Sequence, residues 1–424
     1  MHVEHFVHRY PPALGGSESY FARLGRFLVG EGADVTVWTT TALDLEAFWQ
    51  SGKRTLSPGE SVEGGVRVKR FACWHWPGRR YLLKLLSFVP SARWKRWALP
   101  CNPVAGRMWL EAGAAGGPCD VVHASAFPYA WPIACGLRRA RKRGVPFLLT
   151  PFLHLGDPAR PGDRTRRQYT APALRSLLLE ADRVFVQTPT ERDAVVAAGV
   201  RPERVVLQGL GVEPAECTGG DRERARAGWG VAEGEVVVGH LANQSEEKGT
   251  NDLLRAAEAA WGGGARFRVV LAGPAMANFR RFWPHFGPKQ RVVQLGPLTD
   301  EQKRDFFAGL DVFALPSRCD SFGLVLLEAW ANGLPNVAYR AGGVADLIRH
   351  ERDGLLAPCG DVPALAEALA RLTRDAGLRR RLGEEGRARV GREFVWEEKL
   401  SVVRRVMAEV TGKTFNRSLL PQVA

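Results

Sequence analysis

The chain is expected to fold as α/β, as two doubly wound domains, and three observations lead there. Segments of strand composition alternate with amphipathic helical segments from HVEHFV at the start to GLLAPCGD near the end. The 424 residues are enough for two full cores. The alternation breaks where Gly209, Gly211 and Pro214 are followed by the polar run GDRERARAGWG, which ends the first domain and leads into the second.

Composition narrows the function classes. No stretch approaches the roughly 20 consecutive apolar residues of a spanning helix, and MHVEHFVHRYPP lacks a basic region followed by an apolar one, so the cytoplasm is the expected compartment. The seven cysteines, at 73, 101, 119, 135, 217, 319 and 359, form no C-x-x-C pair and fit free thiols. A formal charge of +14 favours anionic partners such as nucleotide phosphates or acidic lipid. The basic residues are spread along the chain and no RNA- or DNA-binding module is recognisable, which argues against nucleic acid.

In chain order, His2 to Val7 reads as a first strand and the loop RYPPALGGSES opens a helix with Tyr20, Phe21, Leu24, Phe27 and Leu28 on one face. ADVTVWTT completes a βαβ opening. Gly15 and Gly16 let backbone approach a phosphate, or form an ordinary flexible loop. GGSE is not G-x-G-x-x-G, and Thr39-Thr40-Thr41 offers no acid to a ribose, so a nicotinamide dinucleotide is not expected. His2, His5 and His8 do not share one strand face, and with no D-x-D motif or His/Cys/Asp cluster elsewhere no bound metal is expected. Residues 71–100, FACWHWPGRRYLLKLLSFVPSARWKRWALP, mix tryptophan, leucine and basic side chains. They read as an interfacial membrane helix or, preferentially, as a helix packed on the first domain with a solvated basic face. His123 and His154 each follow a strand, where ligands meet such sheets. In the second domain EVVVGHLANQSEEKGTNDLL gives strand, loop and helix, with Lys248 just ahead of the helix as a mobile charge within reach of a diphosphate.

The stretch organising the whole is Asp311 to Pro335, DVFALPSRCDSFGLVLLEAWANGLP. A strand ends at Pro316-Ser317 and an apolar helix is expected from Ser321 to Gly333. Glu328 is the sole charge between Ser321 and Tyr339, and burying it calls for a polar partner, read as a ligand. Asp320 stands eight residues ahead, where the first free N–H groups of the helix suit a phosphate. The same residues also read as a plain N-cap, Asp320 or Ser321, with a surface glutamate.

The spacing of Asp320 and Glu328 around Phe322-Gly323, with the Ala-x-Ala-x-Gly-x-Pro tail, resembles the acid-x7-acid signature of family 4 glycosyltransferases of the GT-B fold. The GG-x-E loop at Gly15, the Lys248-Gly249 pair and Trp396 are similar to that family too, so the resemblance spans nearly the whole chain. It implies two Rossmann-like domains facing across a cleft: an acceptor domain, 1–208, completed by a returning helix in 394–424, and a donor domain, 209–393, with hinges near Gly209, Gly211 and Arg392. It implies transfer of a sugar from a nucleotide-diphosphate sugar, a substrate rather than a cofactor, to a glycan, glycolipid or lipid-linked acceptor, with retention of configuration. That acceptor would allow peripheral contact with the inner membrane face through 71–100.

By resemblance Glu328 takes the ribose hydroxyls. Asp320, where the family usually has glutamate, and His154 take the sugar. Lys248 and the N–H groups around Ser321, Phe322 and Gly323 take the diphosphate, approached by Gly15 and Gly16 from the other domain. The family's arginine after the strand glycine is here His240, so either His240 itself or another base such as Arg318 takes the phosphates in its place, or phosphate binding is weaker. That departure keeps open a catalytically silent homologue, beside a GT-B epimerase or phosphorylase.

Overall fold

The computed structural model describes residues 1–415 apart from 77, 115 and 161. The part of the expected returning segment beyond 415 lies outside the described residues. The first sheet has eight strands: β1 (His2–Phe6), β2 (Asp34–Thr40), β3 (Gly59–Glu63), β4 (Val66–Phe71), β5 (Val121–Ala124), β6 (Phe147–Leu149), β7 (Arg183–Val186) and β8 (Val205–Leu207). Their order is β3-β4-β2-β1-β5-β6-β7-β8, parallel except for the β3–β4 hairpin. The second sheet, all parallel, comprises β9 (Val237–Leu241), β10 (Arg268–Ala272), β11 (Val292–Gly296), β12 (Val312–Leu315), β13 (Asn336–Arg340) and β14 (Gly354–Pro358), in the order β11-β10-β9-β12-β13-β14. Both sheets are covered on two faces, which is why their strands are near-continuous runs of Val, Leu, Phe and Ala.

The opening helix, Gly16–Gly30, buries Tyr20, Phe21, Leu24 and Leu28 against β1 and β2, as its spacing predicts. The chain passes between the sheets at Gly211-Val212 and returns alongside, the Val212 N–H donating to the Phe394 carbonyl at 2.9 Å. The helix Trp396–Thr411 then lies on the first sheet's side. Arg404 pairs there with Glu31, and Lys413 with Asp120 at 2.6 Å.

Residues 71–100 differ from the favoured expectation. They form two short helices, Arg79–Leu86 and Ala92–Ala98, of which Arg79 and Arg96 point inward. Arg79 donates to the Phe48 and Asn102 carbonyls, and Arg96 donates to Ser176. Tyr81, Leu85, Phe88 and Trp94 face out instead. The reason is that guanidinium forks satisfy buried carbonyls that no apolar side chain could.

Candidate functional site

Strand order reverses direction between β1 and β5 in the first sheet and between β9 and β12 in the second. Ligands of open α/β sheets bind outside the carboxyl ends of strands at such points. Here the two switch points open on one cleft. Its inner half, about 420 Å³, is lined by His8 and Arg9 after β1, Ala126 and Phe127 after β5, Ala242 and Asn243 after β9, and Asp320 after β12. The outer half, about 730 Å³, holds Glu328, Lys303, Arg23 and Trp396. Gly16, Leu324 and Val325 line both halves. At that junction the helices Gly16–Gly30 and Leu324–Ala331 begin, one from each domain, and their free N–H groups favour negative charge.

Lys248 and Asp320 meet in the inner half, Nζ to Oδ2 at 2.7 Å. Burial would raise the Asp320 carboxyl, but the Lys248 ammonium, with the Phe322 N–H, holds it below its ordinary range. Lys248 can reach because Gly249 takes a left-handed φ of 74° and lies under the Pro316 carbonyl, which a Cβ would strike. Gly343 packs in the same way under the Ser321 carbonyl, its N–H donating to Asp320 O at 3.0 Å. His154 stands beside this pair, edge-on to Tyr169 with ring centroids 5.0 Å apart. Burial, helped by the Lys248 charge and opposed by Asp320, lowers it to about 4, so its ring is neutral at pH 7. Glu191 supports the His154 loop: its carboxylate accepts from the Leu153 and Gln187 N–H groups, each at 2.7 Å.

In the outer half Glu328 pairs with Lys303 at 2.5 Å, so a protein side chain, not a ligand alone, answers its charge. Only one oxygen is answered. Oε2 is buried with no hydrogen-bond partner, and burial raises the carboxyl despite Lys303.

Several expected site residues sit differently. The helix begins at Leu324 rather than Ser321, with Gly323 in the left-handed region at φ 89°. Phe322 is buried against Phe394, and its N–H leans toward Asp320 Oδ1 at 3.4 Å, leaving the Leu324 end of the helix to meet a ligand. Ser321 does line the cleft. His240 does not. Its two ring nitrogens are taken by the Ala314 carbonyl at 2.8 Å and Thr250 Oγ1 at 3.0 Å, in full burial, so it cannot replace the family's arginine. Nor is Arg318 free to do so. It donates to Asp252 Oδ2 at 2.6 and 2.9 Å and to Asp157 Oδ2 at 2.8 Å, joining the loop after His154 to the loop before Asp320. At Gly15 a Cβ would meet the Glu18 carboxylate, whereas Gly16 opens to the cleft. His123 lies within β5, buried on Thr150.

Other residues of the cleft were not singled out from sequence. Glu18 is held ionised: burial would raise it, but His8 and the Arg9 guanidinium, 2.5 Å away, bring it to about 2. Its signal was present in the GG-x-E loop. Lys303 and Asp157 gave none, being 25 residues from Glu328 and 161 from Arg318. Among the described residues no group of three or more His, Cys, Asp or Glu side chains converges as a metal site. No helix among them is long and apolar enough to cross a membrane.

Two Rossmann-like domains with facing switch points define a GT-B protein, and comparison with known proteins agrees. Residues 221–389 match the family described as glycosyl transferases group 1, and residues 15–211 match the glycosyl transferase 4-like domain. The chain is 31% identical over 384 residues to 2-deoxystreptamine N-acetyl-D-glucosaminyltransferase of Streptomyces fradiae, covering 87% of this chain and 85% of that protein. It is 29% identical over 423 residues to D-inositol 3-phosphate glycosyltransferase of Acidothermus cellulolyticus, covering 93% and 86%. Among solved structures, sucrose-phosphate synthase from Thermosynechococcus elongatus superposes with a TM-score of 0.73 at 22% identity, covering 97% of this chain and 99% of that one. Anabaena HepE in complex with UDP-glucose gives 0.68 at 20%, covering 97% and 99%. The chain belongs to the group 1, family 4-like glycosyltransferases, and it is a glycosyltransferase acting on a nucleotide sugar.

Proposed function

We propose that this enzyme binds a nucleoside-diphosphate sugar along the cleft, ribose outward and sugar inward, and transfers the sugar with retention to an acceptor hydroxyl. The observation carrying the reading is the division of the cleft: an orphaned carboxylate oxygen on Glu328, two helix starts at the junction, and a Lys248–Asp320 pair inside. Glu328 Oε2 accepts a ribose hydroxyl. The diphosphate lies at the junction, where Gly16 leaves room and the Leu324 end of its helix supplies donors. Lys248 swings from Asp320 onto the leaving phosphate, and the freed carboxylate, with neutral His154, holds sugar hydroxyls. With His240 and Arg318 both occupied, Lys248 is the mobile cation available for charge developing on the diphosphate.

In the transfer the acceptor oxygen bonds to the anomeric carbon from the face the diphosphate leaves. The carbon–oxygen bond to the diphosphate breaks, and the acceptor proton passes to the departing phosphate. The acceptor, a glycan, glycolipid or lipid-linked hydroxyl, enters over the first domain. Residues 71–100 would then rest on the inner membrane face.

Thermal unfolding with UDP, GDP and ADP tests the donor site without knowledge of the acceptor. A nucleotide at 100 times its dissociation constant adds about 2.7 kcal/mol, a shift of several degrees. One base is expected to produce it. No shift with any of the three would mean a silent homologue.

A further inference from the structure

An apolar cavity of the first domain lies beside the cleft, not in it. It encloses about 840 Å³, with Trp49, Leu99 and Pro100 among its apolar walls and Lys84, Arg164 and Arg167 as its charged groups; no acidic residue lines it. None of these three cations has a carboxylate partner among the described residues. Residues alternate between this space and the cleft: Pro128 and Gln168 line the cavity, while Phe127, Tyr129 and Tyr169 line the cleft, Tyr169 touching His154. One wall therefore separates the cavity from the sugar end.

Above the cavity lies the helix Arg79–Leu86, which contributes Tyr81 and Lys84 to its lining. Eight of the fourteen large apolar side chains most exposed among the described residues fall between Trp74 and Trp94, including Tyr81 at 78%, Leu85 at 66% and Phe88 at 72%. The exposure is not slack packing. Leu83 is buried beneath, Arg79 is tied to the Phe48 carbonyl, and Trp94 Nε1 donates to the Leu86 carbonyl at 3.0 Å. A fixed apolar face of this kind, bordered by Lys84 and Lys95 and carried by a protein of charge +14, is complementary to an anionic bilayer.

We propose that this cavity is the acceptor port and takes a phosphate-bearing lipid from the bilayer on which Tyr81, Leu85, Phe88 and Trp94 rest. Lys84, Arg164 and Arg167 hold the phosphate at the rim. The apolar walls hold the adjoining chain, and the hydroxyl to be glycosylated passes the Tyr129–Tyr169 wall toward His154. This rests on the transferase reading only for the word acceptor.

The test has two readouts. In flotation with vesicles, the wild type binds phosphatidylglycerol–phosphatidylcholine mixtures and not phosphatidylcholine alone. Leu85→Ser with Phe88→Ser lowers the partition about tenfold or more. Arg164→Gln with Arg167→Gln lowers it about thirtyfold, at about 1 kcal/mol per basic side chain. All four substitutions are at exposed positions, and an unchanged melting temperature confirms folding. In calorimetry, dihexanoyl phosphatidylglycerol below its micelle concentration binds the wild type one to one and fails to bind the Arg164→Gln/Arg167→Gln variant. Equal binding to neutral vesicles, or partition unmoved by both variants, would overturn the proposal. So would a cavity that binds inorganic phosphate or myo-inositol phosphate but not the short-chain lipid, since it would then serve a soluble anion. Loss of the donor reading shows separately, as no melting shift with any nucleoside diphosphate whatever the lipids do.

Discussion

Glu328→Met separates a ligand-binding carboxylate from a structural one. In the wild type one oxygen pairs with Lys303 and the other is buried unanswered, at a cost of about 1–3 kcal/mol. Methionine has a similar volume and removes that cost. Lys303 loses its partner but is 29% exposed and can rehydrate. The sign with pH follows from the raised carboxyl. Folding disfavours its ionisation, so the wild type loses stability as pH rises above the ordinary 4.5 and through the folded value, while the variant does not. At pH 7 Glu328→Met should be as stable as wild type or more so, by up to about 2 kcal/mol. This is read as a few degrees of melting temperature, with the difference closing toward pH 4. Nucleotide binding should fall about 10- to 150-fold, the worth of about 1.5–3 kcal/mol for hydrogen bonds to a charged group. A variant destabilised by more than about 1 kcal/mol that still binds nucleotide like wild type would refute the argument and leave Glu328 as an anchor for Lys303.

Three further outcomes follow from the same geometry. Lys248→Met strands Asp320, which is 15% exposed, so stability at pH 7 should drop by about 1–3 kcal/mol in urea unfolding; the double variant with Asp320→Asn should recover most of it, yet neither should turn over donor. Asp320 is depressed by Lys248, so the wild-type advantage over Lys248→Met is present above pH 3.8 and lost as pH falls through the folded value. Arg318→Met leaves Asp157 and Asp252 buried without their shared cation and should cost about 3–5 kcal/mol, with donor affinity lowered through the loosened loops; an unchanged melting temperature would dismiss the bridge. Glu191, raised by burial to about 7 against its two N–H donors, should make wild-type stability fall between pH 4.5 and 7, a slope that Glu191→Gln abolishes in melting curves taken across that range.

Much of the fold was legible because strand and helix differ in period, and a helix such as Gly16–Gly30 carries its buried face in its own spacing. The donor loop was legible because its working parts are adjacent in sequence: Gly323 and Glu328 both follow Asp320 within eight residues. Lys248 was marked by position, one residue ahead of a glycine that must let it under Pro316. That His240 and Arg318 are occupied was not legible, for one reason. Both have the right charge or ring in the right neighbourhood, but the partners that consume them, Thr250 and Ala314 for one, Asp252 and Asp157 for the other, lie 10 to 161 residues away.

The sequence by itself determined the two α/β domains, the family and the identity of the polar groups that meet at the β9–β12 switch, since local periodicity and short motifs encode these directly. Only tertiary structure decided which groups remain unspent. Whether a buried charge is available to a ligand depends on what else packs within about 3 Å of it, and close packing brings those neighbours from the whole chain. Thus Glu328 keeps a free oxygen, Arg318 is held between Asp252 and Asp157, and the aromatic side of residues 71–100 faces out because two arginines were needed within.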